Sequence, residues 1–220
     1  MKNKTARLAA FLQIDLYPVT DQSQSTGRSN DEMLAGLIAG GARIVQLREK
    51  ELSKRAFYEM ACRFREVTER HGVLLIINDH LDIALACGAD GVHLGQDDLP
   101  LSAARKLAPE LIIGVSTHDL NEALAAQAGG ADYVNIGPIF ATGTKKVAVP
   151  PLTPAAIRKI EPQLTIPYTV MGGINRSNIG QVLDAGARKV AVVTAVTKAE
   201  DIGQAVRELR QILGKHESSR

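Results

Sequence analysis

The chain has 220 residues, 45% hydrophobic and 23% charged, with 26 basic side chains against 24 acidic ones, enough to bury a sizeable core in one domain or two. A formal charge of +2, aromatics at 4% and the absence of Trp argue against nucleic acid or a membrane surface as the main partner, and against a base-stacking platform. No stretch approaches the ~18 apolar residues of a membrane span.

In chain order, Lys2 and Lys4 precede the short apolar run Leu8 to Leu12, which then meets Gln13 and Asp15 without a small-residue cleavage site. That reads as a helical lead-in over residues 1–14 and not as a signal peptide. Eight strand candidates follow: Leu16–Thr20, Ile44–Glu49, Leu74–Asn78, Gly91–Gly95, Ile112–Ser116, Tyr133–Pro138, Tyr168–Gly172 and Lys189–Val193. Before four of them stands a Gly-Ala pair, at Gly41-Ala42, Gly88-Ala89, Gly130-Ala131 and Gly186-Ala187. A Gly just past a helix end and an apolar run after it are the punctuation of repeated strand–helix units. The helix signals agree. Ser53 is a candidate N-cap for a stripe of Phe57, Met60, Ala61, Phe64 and Val67. Asp119 to Glu122 forms an acidic relative of a capping box, and Thr153-Pro154 reads as a cap followed by Pro at the first helical position. A last stripe runs from Ile202 to Leu213, and residues 215–220 are a polar tail expected to fray. The two cysteines, Cys62 and Cys87, fall in helical segments, match no metal-ligand spacing and read as buried thiols, which suits a reducing cytoplasm.

Eight alternating strand–helix pairs predict one (β/α)8 barrel, a TIM barrel, over residues 1–220, with an open doubly wound sheet as the alternative. The barrel changes the meaning of Val45-Gln46-Leu47-Arg48-Glu49-Lys50. If the strand alternates, Gln46, Arg48 and Lys50 share one face and Val45 and Leu47 the other. On their own these cations suit an edge strand as well as a ligand site. A closed barrel has no edge.

In this fold active sites sit at the C-terminal strand ends. Polar residues gather there: Thr20-Asp21, Arg48 to Lys50, Asn78-Asp79-His80, Gly95 to Asp98, Ser116-Thr117-His118 and Gly137 to Lys146. The N-terminal ends show no comparable accumulation in the sequence. Asp79 and Asp98 close adjacent strands and suit a Mg²⁺ held by two carboxylates plus substrate phosphate oxygens. The plainer reading makes Asp98 a helix cap and Asp79 a loop residue, and spacing does not separate Asp97 from Asp98. Arg48, Lys50 and Lys145 add cations that balance a diphosphate, with Lys146 competing for the role of Lys145. The sixth loop is long and rich in Gly, Thr and Lys, as a closing flap would be, or it is an ordinary surface loop. Gly172-Gly173 and Val193-Thr194 stand where barrels often bind a phosphate through backbone N–H groups, though a Gly pair also makes a tight turn. His93, between Val92 and Leu94, reads as a hydrogen-bonded interior histidine, and His118 as either an acid/base group or a bystander. Two anion sites on one mouth suit a transferase that joins two phosphorylated small molecules with loss of diphosphate.

VQLREK at Val45–Lys50, Asn78-Asp79, GVHLGQDD at Gly91–Asp98, GVSTH at Gly114–His118, GPIFATGTKK at Gly137–Lys146 and MGGI at Met171–Ile174 occur in this order. The chain thereby resembles the thiamine phosphate synthase family over nearly its full length. The resemblance implies a transferase that condenses hydroxymethylpyrimidine diphosphate with hydroxyethylthiazole phosphate, or its carboxylated form. Thiamine phosphate and diphosphate would be the products. It further implies that Gln46, Arg48, Lys50, Asn78, Ser116, Thr144 and Lys145 hold the pyrimidine or its diphosphate. Arg48, Lys50 and Lys145 would assist departure of the leaving group. Asp79 and Asp98 would bind Mg²⁺, Thr142 would line the thiazole side, and Gly173, Val193 and Thr194 would meet the thiazole phosphate. The family mechanism is dissociative: diphosphate leaves, the aminopyrimidine stabilises the cation, and the thiazole nitrogen captures it. Ala141, Val147, Met171 and Thr194 depart from the usual family residues, which bears on flap behaviour and thiazole fit. A thiazole tautomerase of the same superfamily and a non-catalytic phosphate binder are the competing functions. The oligomeric state stays open, a homo-oligomer included.

Overall fold

The computed structural model of the chain describes residues 3–143 and 150–218. Its strands are short, apolar and almost wholly buried, as parallel strands covered on both faces must be. They are β1 Leu16–Thr20, β2 Ile44–Leu47, β3 Leu74–Asn78, β4 Gly91–Leu94, β5 Ile112–Thr117, β6 Tyr133–Ile136, β7 Tyr168–Val170 and β8 Val190–Val192. Each pairs in parallel with the next, and β8 returns to β1 through Leu16↔Val190, Tyr17↔Ala191 and Pro18↔Val192. The sheet is a closed barrel, so the open doubly wound alternative is excluded.

The barrel is wrapped by α2 Asn30–Ala39, α3 Lys54–Arg70, α4 Leu81–Ala86, α5 Leu101–Leu107, α6 Leu120–Ala128, α7 Thr153–Ile160, α8 Ile179–Asp184, α9 Thr194–Thr197 and α10 Ile202–Ser218, with α1 Lys4–Leu12 ahead of β1. The caps follow from short polar side chains at the right places. Ser53 accepts from the Ala56 N–H, Asp119 accepts from the Glu122 N–H, and Ser29 and Glu32 form a reciprocal capping box.

Alternation sorts the side chains into two cores. Val45 and Leu47 of β2, and Leu75 and Ile77 of β3, pack outward under the helices. Ile44, Leu74, Ile76 and Ile112 point into the barrel, where Phe11 and Ile14 from the α1 end join them. Phe11 stacks on Tyr133 with ring centroids 4.4 Å apart, so α1 is a plug in the bottom of the barrel. Gly114 makes room for that aromatic layer. A Cβ there would lie 2.0 Å from the Tyr133 ring.

Three expectations are corrected. β2 ends at Leu47, so Arg48 and Lys50 belong to the loop that follows and owe their common direction to that loop rather than to strand alternation. Thr153 is not a cap: α7 begins with Thr153 itself at φ 63°, and no side chain caps the helix. The chain is instead pinned there by the Leu152 N–H on Pro138 O (2.8 Å) and the Thr153 N–H on Ile139 O (3.0 Å). Lys215 to Ser218 continue α10, and His216 Nε2 meets Asp184 Oδ1 at 3.0 Å, while residues 219–220 of the expected tail lie outside the described residues.

Candidate active site

The C-terminal strand ends surround one cavity. One wall carries Gln46 from β2, Arg48 and Lys50 from the next loop, and Asn78 and Asp79 from the end of β3. The facing wall carries Gly173, Val193 and Thr194, and Ser116 and Thr142 line the cavity as well. Of the sequence-derived site residues, Thr144 and Lys145, with the competing Lys146, lie outside the described residues.

Arg48 forms an ion pair with buried Asp21, which also accepts from the Ser23 N–H at 3.1 Å and the Ser23 hydroxyl at 2.6 Å. The guanidinium is thus aimed before any ligand arrives. Glu49, on the far side of the same loop, accepts from the Gln22 N–H at 2.9 Å and Asn30 Nδ2 at 2.6 Å. The loop is held from both sides.

Asp79 sits in the left-handed region at φ 61°, which an aspartate adopts more readily than most residues. Its N–H reaches His93 O at 2.8 Å, turning the chain at the end of β3 and leaving the carboxylate toward the cavity. There it pairs with Lys50 and shares a hydrogen bond with Asp98. Asp98 also accepts from the Gly95 N–H at 2.6 Å, whereas Asp97 is exposed, so the structure separates the two aspartates that spacing left open. Burial pushes Asp79 upward, but the hydrogen bonds from Lys50 and Asp98 and the nearby positive charge outweigh it and leave the carboxyl below its ordinary pKa. Asp98 moves the other way. Burial raises it, and so does the hydrogen bond to Asp79, against the lowering effect of the Gly95 N–H and Lys50. Their shared hydrogen bond thus drives the two carboxyls apart, Asp79 downward and Asp98 upward.

Beneath the cavity runs a buried polar chain. Gln46 Nε2 donates to the Tyr17 hydroxyl at 2.9 Å, and that hydroxyl meets the Tyr133 hydroxyl at 2.9 Å. Tyr133 meets His93 Nδ1 at 2.9 Å, and His93 Nε2 meets the Ser116 hydroxyl at 2.9 Å. Burial pushes the phenols of Tyr17 and Tyr133 well above their ordinary pKa, so both stay neutral. His93 is the interior, hydrogen-bonded histidine that its apolar neighbours suggested. Asn135 also lines the cavity and accepts from the Thr169 hydroxyl at 2.7 Å. Sequence reading passed over Tyr17, Tyr133 and Asn135, although the alternation that singled out Gln46 puts Tyr133 and Asn135 on one face of β6 as well. His118 lines the same cavity, with Nδ1 on Glu122 Oε2 at 2.8 Å.

The glycine pair has a packing reason of its own. Gly172 and Gly173 have φ of 108° and 63°, and a Cβ would fall 2.5 Å from Pro138 Cα at the first and 2.5 Å from Ala141 O at the second. The loop after β6 lies against them, with the Ile139 N–H on Met171 O (2.8 Å) and the Phe140 N–H on Gly172 O (3.0 Å).

The class is now defined: a (β/α)8 barrel whose C-terminal mouth joins aimed cations and a carboxylate pair to a glycine-bearing opposite wall. A model of the family described as thiamine monophosphate synthase matches residues 16–196, and the chain belongs to that family. It is 48% identical over 206 residues to the thiamine-phosphate synthase of Chloroflexus aurantiacus, covering 94% of this chain and 95% of that one. It is 44% identical over 211 residues to that of Pelotomaculum thermopropionicum, covering 96% and 97%. Among solved structures, thiamine phosphate pyrophosphorylase from Pyrococcus furiosus superposes with a TM-score of 0.86 at 37% identity, covering 92% of this chain and 96% of that one.

Proposed function

We propose that the chain condenses 4-amino-2-methyl-5-hydroxymethylpyrimidine diphosphate with 4-methyl-5-(2-hydroxyethyl)thiazole phosphate, releasing thiamine phosphate and diphosphate. The observation that carries this reading is the wall of Gln46, Arg48, Lys50, Asn78 and Asp79, facing Gly173 and Thr194 across one cavity. A barrel that handled a single monophosphate would have no use for that wall.

Asp79 and Asp98 fit Mg²⁺. They are hard oxygen donors that already lie within a shared hydrogen bond, and the upward push on Asp98 from Asp79 marks a place where two negative charges crowd one another. When bound, the ion supplies charge neutralisation for the diphosphate. Arg48, with Lys50 and Lys145, holds the diphosphate oxygens and stabilises the charge that grows on them as the carbon–oxygen bond breaks. Lys50 is about half exposed and pairs with Asp79, so it has freedom to turn from the carboxylate to a phosphate oxygen. Gln46, Asn78 and Ser116 orient the pyrimidine, whose amino group stabilises the cation. Thr142 lies on the thiazole side, and Gly173, Val193 and Thr194 receive the thiazole phosphate so that the ring nitrogen faces the cationic carbon. Thr144 joins Lys145 in the diphosphate role that the family resemblance implies. Exclusion of water protects the cation from hydrolysis.

The tautomerase reading draws on His118, whose Nδ1 bond to Glu122 is the geometry of an oriented acid/base group. It leaves Arg48 and the carboxylate pair without work. Purified protein with both substrates and Mg²⁺ is expected to give thiamine phosphate by mass spectrometry. Isomerised thiazole carboxylate phosphate with no coupled product would overturn the reading.

A further inference from the structure

We propose that Asn135 is a further specificity-determining residue, whose amide N–H meets a bare ring nitrogen of the aminopyrimidine, and that Thr169 is the positioning residue behind it. The identity of the ligand rests on the function proposed above. The placement of the amide does not.

Asn135 lies on β6, in register with Ser116 of β5 on one side and Thr169 of β7 on the other. The residue is only 6% exposed, and its Oδ1 accepts the Thr169 hydroxyl at 2.7 Å. Thr169 is wholly buried, and its hydroxyl has no other acceptor in reach among the described residues. With the amide turned over, Nδ2 would meet that hydroxyl as a donor and strand the Thr169 proton, a costly arrangement at such depth. The carbonyl therefore stays on Thr169, which leaves Nδ2 for the cavity that Asn135 lines. Nδ2 has no partner among the described residues, yet it is not one of the polar atoms sealed off from solvent without one. It is an unmet donor that opens on the cavity.

Such a donor calls for an acceptor on the ligand. The diphosphate is a poor choice, because Arg48 and Lys50, proposed to hold it, follow β2, and β6 stands across the barrel from β2. The thiazole nitrogen is excluded by its chemistry, since a hydrogen bond to its lone pair would block attack on the cationic carbon. The pyrimidine keeps ring nitrogens that take no part in bond formation. The surroundings of Asn135 match that ring. Ser116 beside it is polar, while Val19, Met171 and Ala191 give the same cavity an apolar part. A 2-methyl-4-aminopyrimidine carries a ring nitrogen on each side of its methyl-bearing carbon, so polar and apolar needs adjoin in the ligand as they do in the site. Ring recognition thereby extends from β2 and β5 to β6.

The test measures calorimetric binding, with Mg²⁺ present, of the aminopyrimidine diphosphate and of its two pyridine analogues, each with one ring nitrogen replaced by C–H. Wild type is expected to bind one of the analogues about tenfold more weakly than the parent, the cost of leaving a buried donor unmet. Asn135→Ala is expected to weaken toward the parent and to bind that analogue as well as the parent. Thr169→Val frees the amide and should lose the same selectivity, whereas Thr169→Ser, which keeps the hydroxyl, should retain it. In turnover the loss appears in KM for the pyrimidine and not in kcat, because the ring nitrogen becomes a poorer acceptor as the ring yields electron density to the cation. Equal weakening toward all three compounds, or weakening toward the thiazole phosphate alone, overturns the proposal. If Asn135→Ala does not fold, Asn135→Ala combined with Thr169→Val strands neither partner and serves for the comparison. Wild type that binds none of the three compounds refutes the proposed function. Wild type that binds them with a selectivity untouched by Asn135→Ala overturns the role of Asn135 alone.

Discussion

The two ends of the barrel use the same kinds of residue to opposite effect. At the N-terminal end Asp90 takes Arg65 at 2.7 Å, the Leu75 N–H at 3.0 Å and, from α1, Arg7 at 3.4 Å. Asp132 takes Lys4 at 2.8 Å, Arg105, and the Ile113 N–H at 2.8 Å. These charges are spent on locking the plug and the strand starts together. At the C-terminal end Arg48 and Asp21 are paired, as are Lys50 and Asp79, yet Arg48, Lys50 and Asp79 face a cavity, and Asp98 beside Asp79 is pushed above its ordinary pKa. Pairing at the bottom is final. Pairing at the top is provisional, and a ligand with the right charge can replace it.

The contrast breaks most visibly at Asp90. Asp90→Ala strands two guanidinium groups and a strand N–H, and is expected to cost about 3–5 kcal/mol in urea unfolding. The turnover of the molecules that remain folded should be unchanged. Arg48→Ala does the reverse to catalysis and is expected to lower kcat by roughly 10²–10³-fold, the loss that accompanies removal of one charge-stabilising donor. His118→Ala should stay within about tenfold, and comparable losses from both would move the chemistry to acid/base catalysis. A subtler effect lies in the carboxylate pair. Asp98 holds its proton above the ordinary carboxylate range, and Mg²⁺ can enter only as that proton leaves. Calorimetric Mg²⁺ affinity should therefore rise with pH through the raised pKa, by up to about tenfold per unit, and level off once Asp98 is ionised. Asp98→Asn should remove the pH dependence along with most of the affinity.

The fold was legible because each unit carries its own local punctuation. Gly-Ala pairs, caps such as Ser53 and Asp119, and apolar runs of strand length all act within a few residues, and the barrel follows from their repetition. The cavity was legible for the same reason, since strand ends are places in the sequence. Properties that depend on register between distant segments were not. Nothing near Arg7 announces Asp90, so the ion pairs at the bottom went unseen, and polar residues at the N-terminal strand ends were underestimated. Tyr17 and Tyr133 look like ordinary core aromatics until the barrel brings their hydroxyls together. The Gly172-Gly173 pair read as room for an anion, and the structure adds the close passage of Pro138 and Ala141. Thr153 failed as a cap because the preceding loop is tied to the end of β6, a tertiary constraint that overrides a local signal.

The pairing of β1 with β8 has a consequence for the order of events during synthesis. Among the barrel strands β1 leaves the ribosome before the other seven, and its partner Val190 lies in the last of them. Until then β1 waits with an open edge. The residues that β8 brings, Ala191 to Thr194, also complete the cavity wall. A nascent or truncated chain without them has no site to offer. Ligand can bind only the closed form, so a substrate in the cell favours the last step of folding by mass action. The catalytic mouth thus serves the maturing chain as a test of whether its ends have met.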